Sequence, residues 1–389
     1  MESKKVLPVL FLVMFLVMVG FGIIIPVLPF LAEEVGGSPT ELGLLMAVYS
    51  LMQLIFAPLW GRVSDRVGRK PVMLIGIAGL AISFFIMAVA DSLWLLFAAR
   101  IVGGVLSAAN MPTAMAYVAD ITTPEERGKG MGIIGAATGL GFIFGPAIGG
   151  IFSKSSLHMP FYIAGISCIV TLLLVVILLK ESLSPEKRSL ELANKEPMWK
   201  AFSGVVSILF ILQLFVTLSL AGLEATFAYF AAQRAAIDTI QLGYIFMIMG
   251  LGSALVQGGL AGKMTKKYGE GAVIRIGIIV SALGFLLILF TKDFWTAAIF
   301  LTIFGLGNGL IRPAVSALLT KRSATGHGNV TGLLSSFDSL GRIIGPPLGG
   351  WLFSLSIGLP YISGAILSVL ALLLYQIYHI RSHGMKEAA

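Results

Sequence analysis

Twelve apolar stretches, each long enough to cross a lipid bilayer as a helix, follow one another along this chain and limit its fold more than any other feature. A membrane-spanning helix needs roughly 20 predominantly apolar residues. Strands of a membrane barrel alternate polar and apolar residues, whereas runs such as VLPVLFLVMFLVMVGFGIII do not. Charged residues make up only 12% of the chain, and about 25% is usual in soluble domains. The sequence therefore predicts an all-α polytopic membrane protein.

The polar breaks between these stretches divide the chain into two similar halves. The predicted spans cover residues 6–32, 40–62, 72–90, 93–118, 130–153, 159–179, 202–232, 239–262, 272–291, 294–319, 329–353 and 358–380. The longest polar segment, 180–200, predicts a linker between an N-terminal six-helix bundle, 1–179, and a C-terminal one, 201–389. Residues 128–150 and 328–350 are identical at nine of 23 positions. Paired six-helix bundles are typical of secondary transporters, with the substrate site between the halves.

Lysine and arginine are unevenly distributed among the loops. With the N-terminus inside the cell, only Lys154, Arg234 and Lys292 lie on the outer side. The positive-inside rule therefore predicts that both termini are cytoplasmic. The same rule accounts for the net charge of +8 without a nucleic-acid partner.

Cofactor chemistry has little support in the sequence. The single cysteine, Cys168, excludes an intramolecular disulfide, and the sequence has no His/Cys cluster for a metal. It also lacks a GxxxxGK[ST] motif for nucleotide binding. We therefore expect no cofactor and no enzyme activity, and any uphill work must use an ion gradient.

Four motifs resemble those of the major facilitator superfamily. GRVSDRVGRKP (61–71) resembles the signature of the loop after the second span, and GKMTKKYGEG (262–271) is its degenerate repeat. GLGFIFGPAIGG (139–150) resembles the fifth-helix motif of the proton-coupled antiporters, and RIVGGVLSAANMP (100–112) resembles the fourth-helix motif. GFGIIIPVLP (20–29) resembles the first helix of twelve-span drug exporters. The resemblance to bacterial drug:proton antiporters, which include tetracycline exporters and Gram-positive multidrug pumps, implies a twelve-helix fold, a bacterial cell membrane and a functional monomer.

The basic loop after the second span combines charge with two glycines. Glycine suits a tight turn, a close approach or a positive φ, Asp65 suits the positive end of a helix, and Arg69 can reach Asp120. The resemblance implies that this loop latches the halves together at the cytoplasmic face. The predicted latch comprises Gly61, Asp65, Arg66, Gly68, Arg69 and Asp120. A solvated basic loop is the alternative, but it does not explain Asp65 or the glycines.

Five charged residues stand out inside the predicted spans, and a charge at the centre of the bilayer costs at least about 2.5 kcal/mol and suggests function. They are Arg100, Glu224, Arg312, Asp338 and Arg342. Arg100 shares a helix face with Gly103 and Gly104 and is predicted to act in proton coupling or gating; helix packing would explain the glycines but not the arginine. Glu224 has apolar neighbours that favour a protonated carboxyl, so we predict a proton carrier. A glutamate that meets water near the membrane surface is the alternative.

Asp338 and Arg342 are four residues apart and can pair along one helix face. They form either a structural cluster, with or without Arg312, or a site in which Asp338 is a second proton carrier. The sequence also departs from the family pattern. Residues 6–32 lack the acid of the tetracycline exporters, and Asn308, Gly309 and Leu310 stand where the multidrug pumps carry an acid before the RP of the tenth span.

Substrate and gating residues are predicted from polar and aromatic side chains inside the spans. An apolar pocket with a few polar anchors is predicted from Phe227, Tyr229, Phe230, Gln53, Asn110, Gln257, Asn308 and Arg312; each aromatic has helix packing as its alternative. Gly141, Gly145, Pro146, Gly149 and Gly150 predict a close-packed, bendable seam on the fifth span.

These features predict a proton-driven exporter of lipophilic small molecules that works by alternating access in the lipid bilayer. Two alternatives stay open. One is an exporter or flippase for an endogenous solute such as a sugar, amino acid, siderophore or lipid precursor, for which the excess of embedded arginine would suit an anion. The other is a non-transporting sensor or scaffold, which would not need Arg100, Glu224 or the GPAIGG motif.

Overall fold

The computed structural model describes residues 3–183, 202, 204–322 and 327–387, and nearly all of these are helical. The helices are α1 Ser3–Glu34, α2 Pro39–Val67, α3 Arg69–Ala88, α4 Leu93–Ser107, α5 Asn110–Ile121, α6 Pro124–Ser153, α7 Met159–Leu178, α8 Ser207–Ala235, α9 Thr239–Leu255, α10 Ala261–Tyr268, α11 Glu270–Ile288, α12 Phe294–Arg322, α13 His327–Leu355 and α14 Leu359–Glu387. A 3₁₀ turn, Gly204–Val206, precedes α8. Residues 184–200 of the predicted linker lie outside the described residues.

These fourteen helices make twelve membrane spans, as predicted. α4 and α5 together form the fourth span, and a π-helical turn, Val256–Leu260, joins α9 to α10 in the eighth. In the described part of the chain, eleven spans are long and apolar enough to cross a membrane by composition alone. The remaining span is α13, which carries Asp338, Arg342 and a series of serines and glycines.

Contacts within the chain divide it into two compact units. Unit 1 comprises Met1–Ser38, Val48–Asn194 and Thr239–Met247, and unit 2 comprises Pro39–Ala47, Lys195–Asp238 and Ile248–Ala389. The first turns of α2 therefore group with unit 2, and the first turns of α9 group with unit 1. The division into bundles 1–179 and 201–389 stays a prediction.

Each unit contains a helix pair that packs through glycine. In unit 1, a Cβ added to Gly145 of α6 would lie 2.6 Å from Gly22 Cα of α1, and one added to Gly149 would lie 2.7 Å from Ile23 O. In unit 2, a Cβ added to Gly349 of α13 would lie 2.9 Å from Gly222 Cα of α8. Close packing is observed at Gly145 and Gly149 of the fifth span, its bending stays a prediction, and the repeat in sequence is also a repeat in packing.

The first turns of α2 and α9 pack against the glycine-rich ends of α13 and α6, respectively. In unit 1, a Cβ on Gly150 would lie 2.6 Å from Thr239 O, and the hydroxyls of Ser153 and Thr239 are 2.6 Å apart. In unit 2, a Cβ on Gly350 would lie 2.9 Å from Thr40 Cα. The ends of α6 and α13 are thus close-packed on both sides, so larger residues at these glycines would separate the helices.

Candidate functional site

The basic loop of unit 1 is folded around one buried arginine. Arg69, whose side chain is 3% exposed, pairs with Asp65 one turn earlier and donates from Nε to Asp120 Oδ2 at 3.1 Å. It also donates from Nη1 to Ser64 Oγ at 2.8 Å. The prediction that Arg69 reaches Asp120 is confirmed. Because both carboxylates face one guanidinium, the cluster joins the ends of α2, α3 and α5.

Glu181, which the sequence analysis did not single out, closes this cluster from the linker side. Its carboxylate accepts the backbone N–H of Arg69 at 2.8 Å and that of Lys70 at 3.1 Å. Both N–H groups lie in the first turn of α3, where backbone donors have no acceptor within the helix and a negative charge is favourable. Ser182 donates to Asp120 Oδ2 at 2.9 Å. The start of the linker is therefore bound to the basic loop, and no helical periodicity in the sequence indicates this.

The two glycines of the loop differ in their roles. Gly68 ends α2 with a φ of 120°, which only glycine adopts readily, and a Cβ there would meet Glu181 Cδ at 2.8 Å. Gly61 is different: a Cβ there would meet nothing within 4 Å. The expectation of a close approach or positive φ at Gly61 is therefore wrong. Arg66 is exposed on α2, and the latch between halves stays a prediction.

Arg100 lies buried inside unit 1 on the face of a tyrosine. Its guanidinium carbon is 4.1 Å from the centre of the Tyr49 ring, a cation–π contact. The Tyr49 hydroxyl is 2.7 Å from Ser107 Oγ and accepts from Gln53 Nε2 at 2.9 Å. A Cβ on Gly104 would lie 2.9 Å from Tyr49 O, so the glycine brings α4 close to α2. Tyr49 is the aromatic partner that the sequence analysis missed.

The predicted polar anchors occupy different environments. Asn110 begins α5 and is 2% exposed, and its amide atoms have no hydrogen bond within the described residues. Asn308 lines a cavity of about 10 Å³ in unit 2, with Ser219, Ser281 and Ser368; a volume of roughly 10–15 Å³ is the smallest that holds a water molecule. Gln257 is exposed in the π-helical turn. Gln53 donates to the Tyr49 hydroxyl, and a pocket formed by these side chains stays a prediction.

The three aromatics near Glu224 are packing residues. Phe227, Tyr229 and Phe230 are 0%, 4% and 2% exposed. The Phe230 ring lies 4.6 Å from that of Tyr361, and the Tyr229 ring lies 6.0 Å from that of Phe353. The prediction that these side chains form a pocket wall is corrected, because they are buried in this structure, as the packing alternative expects.

Two acids and two arginines form a cluster in unit 2. Arg342 Nη1 of α13 donates to Glu224 Oε2 of α8 at 3.2 Å, and Arg312 Nη2 of α12 lies 2.8 Å from Asp338 Oδ2 of α13. The pairing of Asp338 with Arg342 along one helix face is therefore wrong in this structure. Each acid instead takes its arginine from another helix. The apolar setting predicted for Glu224 is corrected as well, because Arg342 lies against its carboxylate.

The two carboxylates are held to different degrees. Asp338 Oδ1 accepts from Gln213 Nε2 at 2.8 Å and from Thr217 Oγ1 at 2.7 Å, and its side chain is 13% exposed. Gln213 and Thr217 were missed, although their four-residue spacing in an apolar span places them on one face. Within the described residues, Glu224 forms one ion pair, which is with Arg342. Asp338 is therefore held by three side chains, whereas Glu224 has a single, longer contact.

Twelve spans in two glycine-packed units, with paired acidic and arginine side chains inside the spans, define a polytopic membrane transporter. The sequence profile described as the Major Facilitator Superfamily matches residues 10–270 and 209–387. The chain belongs to this superfamily.

Several characterised relatives span almost the whole chain. Multidrug resistance protein 2 of Bacillus subtilis (strain 168) is 33% identical over 95% of this chain and 94% of its own length. Tetracycline resistance protein, class C, of Escherichia coli is 33% identical over 96% of each chain. Quinolone resistance protein NorA of Staphylococcus aureus (strain COL) is 30% identical over 92% of each. The resemblance to the drug:proton antiporter group is therefore confirmed.

Solved structures share the fold. The human organic anion transporter MFSD10 (TETRAN) is 26% identical, with a TM-score of 0.72 over 96% of this chain and 100% of that one. A bacterial homologue of the human lysosomal transporter Spinster has a TM-score of 0.81 at 16% identity, over 98% and 97% of the two chains. The latter likeness concerns the fold alone.

Proposed function

We propose that this chain exports lipophilic small molecules, drugs among them, across the bacterial cell membrane in exchange for protons, by alternating access. The names of the relatives support the substrate class, because they are resistance proteins for several unrelated drugs. The sequence has no nucleotide-binding motif to supply the energy. A proton gradient supplies it instead, through a membrane-embedded group whose charge changes during the cycle.

The contrast between the two acids of unit 2 carries this proposal. Asp338 is held by Arg312, Gln213 and Thr217, and each of these contacts stabilises the charged carboxylate. Glu224 is 17% exposed and, among the described residues, pairs with Arg342 only. Protonation of Glu224 breaks one ion pair, whereas protonation of Asp338 disrupts three contacts. Glu224 is therefore the proton carrier, and Asp338 stays ionised.

Arg100 acts in gating from unit 1. A cation inside a span is costly unless it is stabilised, and the Tyr49 ring stabilises it through its π face. Ser107 and Gln53 orient that ring through the Tyr49 hydroxyl. Arg100 is thus held at a defined position on α4, about two helical turns before the interruption between α4 and α5 at residues 108–109.

The export of an endogenous anionic solute is the second candidate. The side chains of Arg312 and Arg342 are 59% and 44% exposed, although each has a carboxylate partner. Such arginines can bind a carboxylate or phosphate through their remaining N–H groups. The human structural relative, described as an organic anion transporter, is consistent with this candidate.

A susceptibility screen separates the two candidates. The chain is expressed in a pump-deficient bacterial host, and growth inhibition is measured for tetracycline, a quinolone and a lipophilic cation. We expect resistance to at least two of these compounds, lost in Glu224→Gln and retained in Glu126→Gln, since Glu126 is an exposed acid at the start of α6. Unchanged susceptibility to every compound at normal expression would contradict drug export and favour the endogenous solute.

A further inference from the structure

The charged cluster of unit 2 is not required by the packing of its helices. The pair α1/α6 in unit 1 packs through the same glycines as α8/α13, at positions offset by 200 residues. At this offset, Gln213, Thr217, Glu224, Asp338 and Arg342 correspond to Val13, Val17, Ile24, Thr138 and Phe142. None of these equivalents is charged. Because the same helix packing forms without the charges, the charges of unit 2 serve something other than folding.

Arg342 has two acids within reach but uses one. Asp338 precedes it by four residues on α13, the spacing at which opposite charges meet on a helix surface. Side chains on a helix lean toward its N-terminus, which is the direction of Asp338. In this structure the guanidinium instead crosses to Glu224 on α8, with a contact of 3.2 Å. A change of rotamer, without movement of the backbone, transfers it from one acid to the other.

Asp338 has an oxygen that can receive this arginine. Its Oδ1 takes the hydrogen bonds from Gln213 and Thr217. Its Oδ2 lies 2.8 Å from Arg312 Nη2, but the contact lacks hydrogen-bonding geometry, so this buried oxygen accepts no hydrogen bond from the described residues. A buried acceptor without a hydrogen bond is unfavourable. A guanidinium arriving from Arg342 would satisfy it.

We propose that Arg342 is a shared cation that moves from Glu224 to Asp338 when Glu224 takes up a proton. This inference rests on the proposed proton coupling. A proton from water binds the Glu224 carboxylate and forms a neutral acid, and the four-residue cluster changes from net zero to net +1. Arg342 then pairs with Asp338 and shares it with Arg312. Proton binding at Glu224 of α8 thereby changes the ion pair of Arg312 on α12.

Few other groups near Glu224 are able to exchange ion pairs with it or with Arg342. α13 contributes Arg342 and Asp338, and α12 contributes Arg312. From α14, Tyr361 approaches α8 at Thr226, with 3.4 Å between the hydroxyls. The 3₁₀ turn Gly204–Val206 that also contacts α8 carries no ionisable side chain. The transfer is therefore between Arg342 and the two acids, with Arg312 as the group affected.

Proton binding by the purified protein tests the transfer without substrate or gradient. The infrared C=O stretch of a protonated carboxyl is followed against pH, and the Glu224 band is identified by its loss in Glu224→Gln. We expect Asp338→Asn to lower the proton affinity of Glu224 about tenfold, because Arg342 then has no second partner. Arg342→Gln should raise the affinity. In the double variant, Asp338→Asn should have no further effect.

The double variant separates the transfer from simple charge repulsion. If Asp338 acts only through space or as a structural group, Asp338→Asn should change the proton affinity of Glu224 equally whether or not Arg342 is present. Such additivity would overturn the proposal. Asp338→Glu keeps the acceptor, and it should restore wild-type behaviour if Asp338→Asn folds poorly. A Glu224 that shows no titrating band also overturns the proposal. Failure to export drugs leaves these proton titrations unaffected, so the two failures are distinguishable.

Discussion

Replacing Gly145 by alanine tests whether the glycine seam positions α1 against α6. The added Cβ would lie 2.6 Å from Gly22 Cα and 2.7 Å from Val19 O, both backbone atoms that cannot rotate away. Ordinary contact begins at 3.4 Å, so the helices must separate by about 0.8 Å. Overpacking of this kind costs about 1–3 kcal/mol. Alanine in place of glycine in a helix gains about 1 kcal/mol, so the net effect is a loss of about 0–2 kcal/mol.

Gly139 on the same helix provides the control, because a Cβ there meets nothing within 4 Å. Gly139→Ala therefore gains helix propensity without overpacking. Thermal unfolding of the purified proteins in detergent should place Gly145→Ala below Gly139→Ala in stability by about 1–3 kcal/mol. With the larger Gly145→Leu, export should be lost while the protein is still inserted in the membrane, and Gly139→Leu should still export. Equal stability of the two alanine variants would refute the close packing of this seam.

Three further predictions concern unit 1. Asp65→Asn should raise the accessibility of cysteines introduced on the cytoplasmic side of the transport path, measured by maleimide labelling; unchanged labelling with full transport would reduce the basic loop to a topology signal. Glu181→Gln removes a carboxylate from the start of α3 and should lower stability by about 0.3–1 kcal/mol at low salt, an effect that should disappear in high salt. Tyr49→Phe keeps the ring beneath Arg100 and should retain transport, whereas Tyr49→Leu should lose it; equal activity of the two would argue against the cation–π contact.

The sequence predicted the helices well because their signals are local. An apolar run of the right length can only be a span in a membrane, and the glycines of the fifth span indicated close packing that Gly145 and Gly149 then showed. The interruption between α4 and α5 and the π-helical turn at Val256–Leu260 were not predicted, because both lie inside continuous apolar runs. The grouping of the first turns of α2 with unit 2 and of α9 with unit 1 depends on long-range contacts, so no pattern in the sequence predicted it.

The candidate site was harder to predict because its contacts join different helices. Spacing within one helix suggested that Asp338 pairs with Arg342, but spacing cannot show that Arg312 on α12 is nearer to Asp338 and Glu224 on α8 nearer to Arg342. Glu181 was missed for the same reason, since its partners are backbone N–H groups more than a hundred residues away. The contact between Arg69 and Asp120 was predicted correctly, because Asp120 was the one acid at the end of the fourth span that Arg69 could reach.

The measurement that tests proton coupling most directly is drug transport by the purified protein in liposomes under an imposed pH gradient. Wild-type protein should move drug uphill against the direction of proton flow, and the transport should stop when an ionophore collapses the gradient. Glu224→Gln, which resembles the protonated form, should bind the drug and lose this uphill transport while keeping downhill exchange. Normal uphill transport by Glu224→Gln, together with its loss in Asp338→Asn, would contradict the account and make Asp338 the proton carrier.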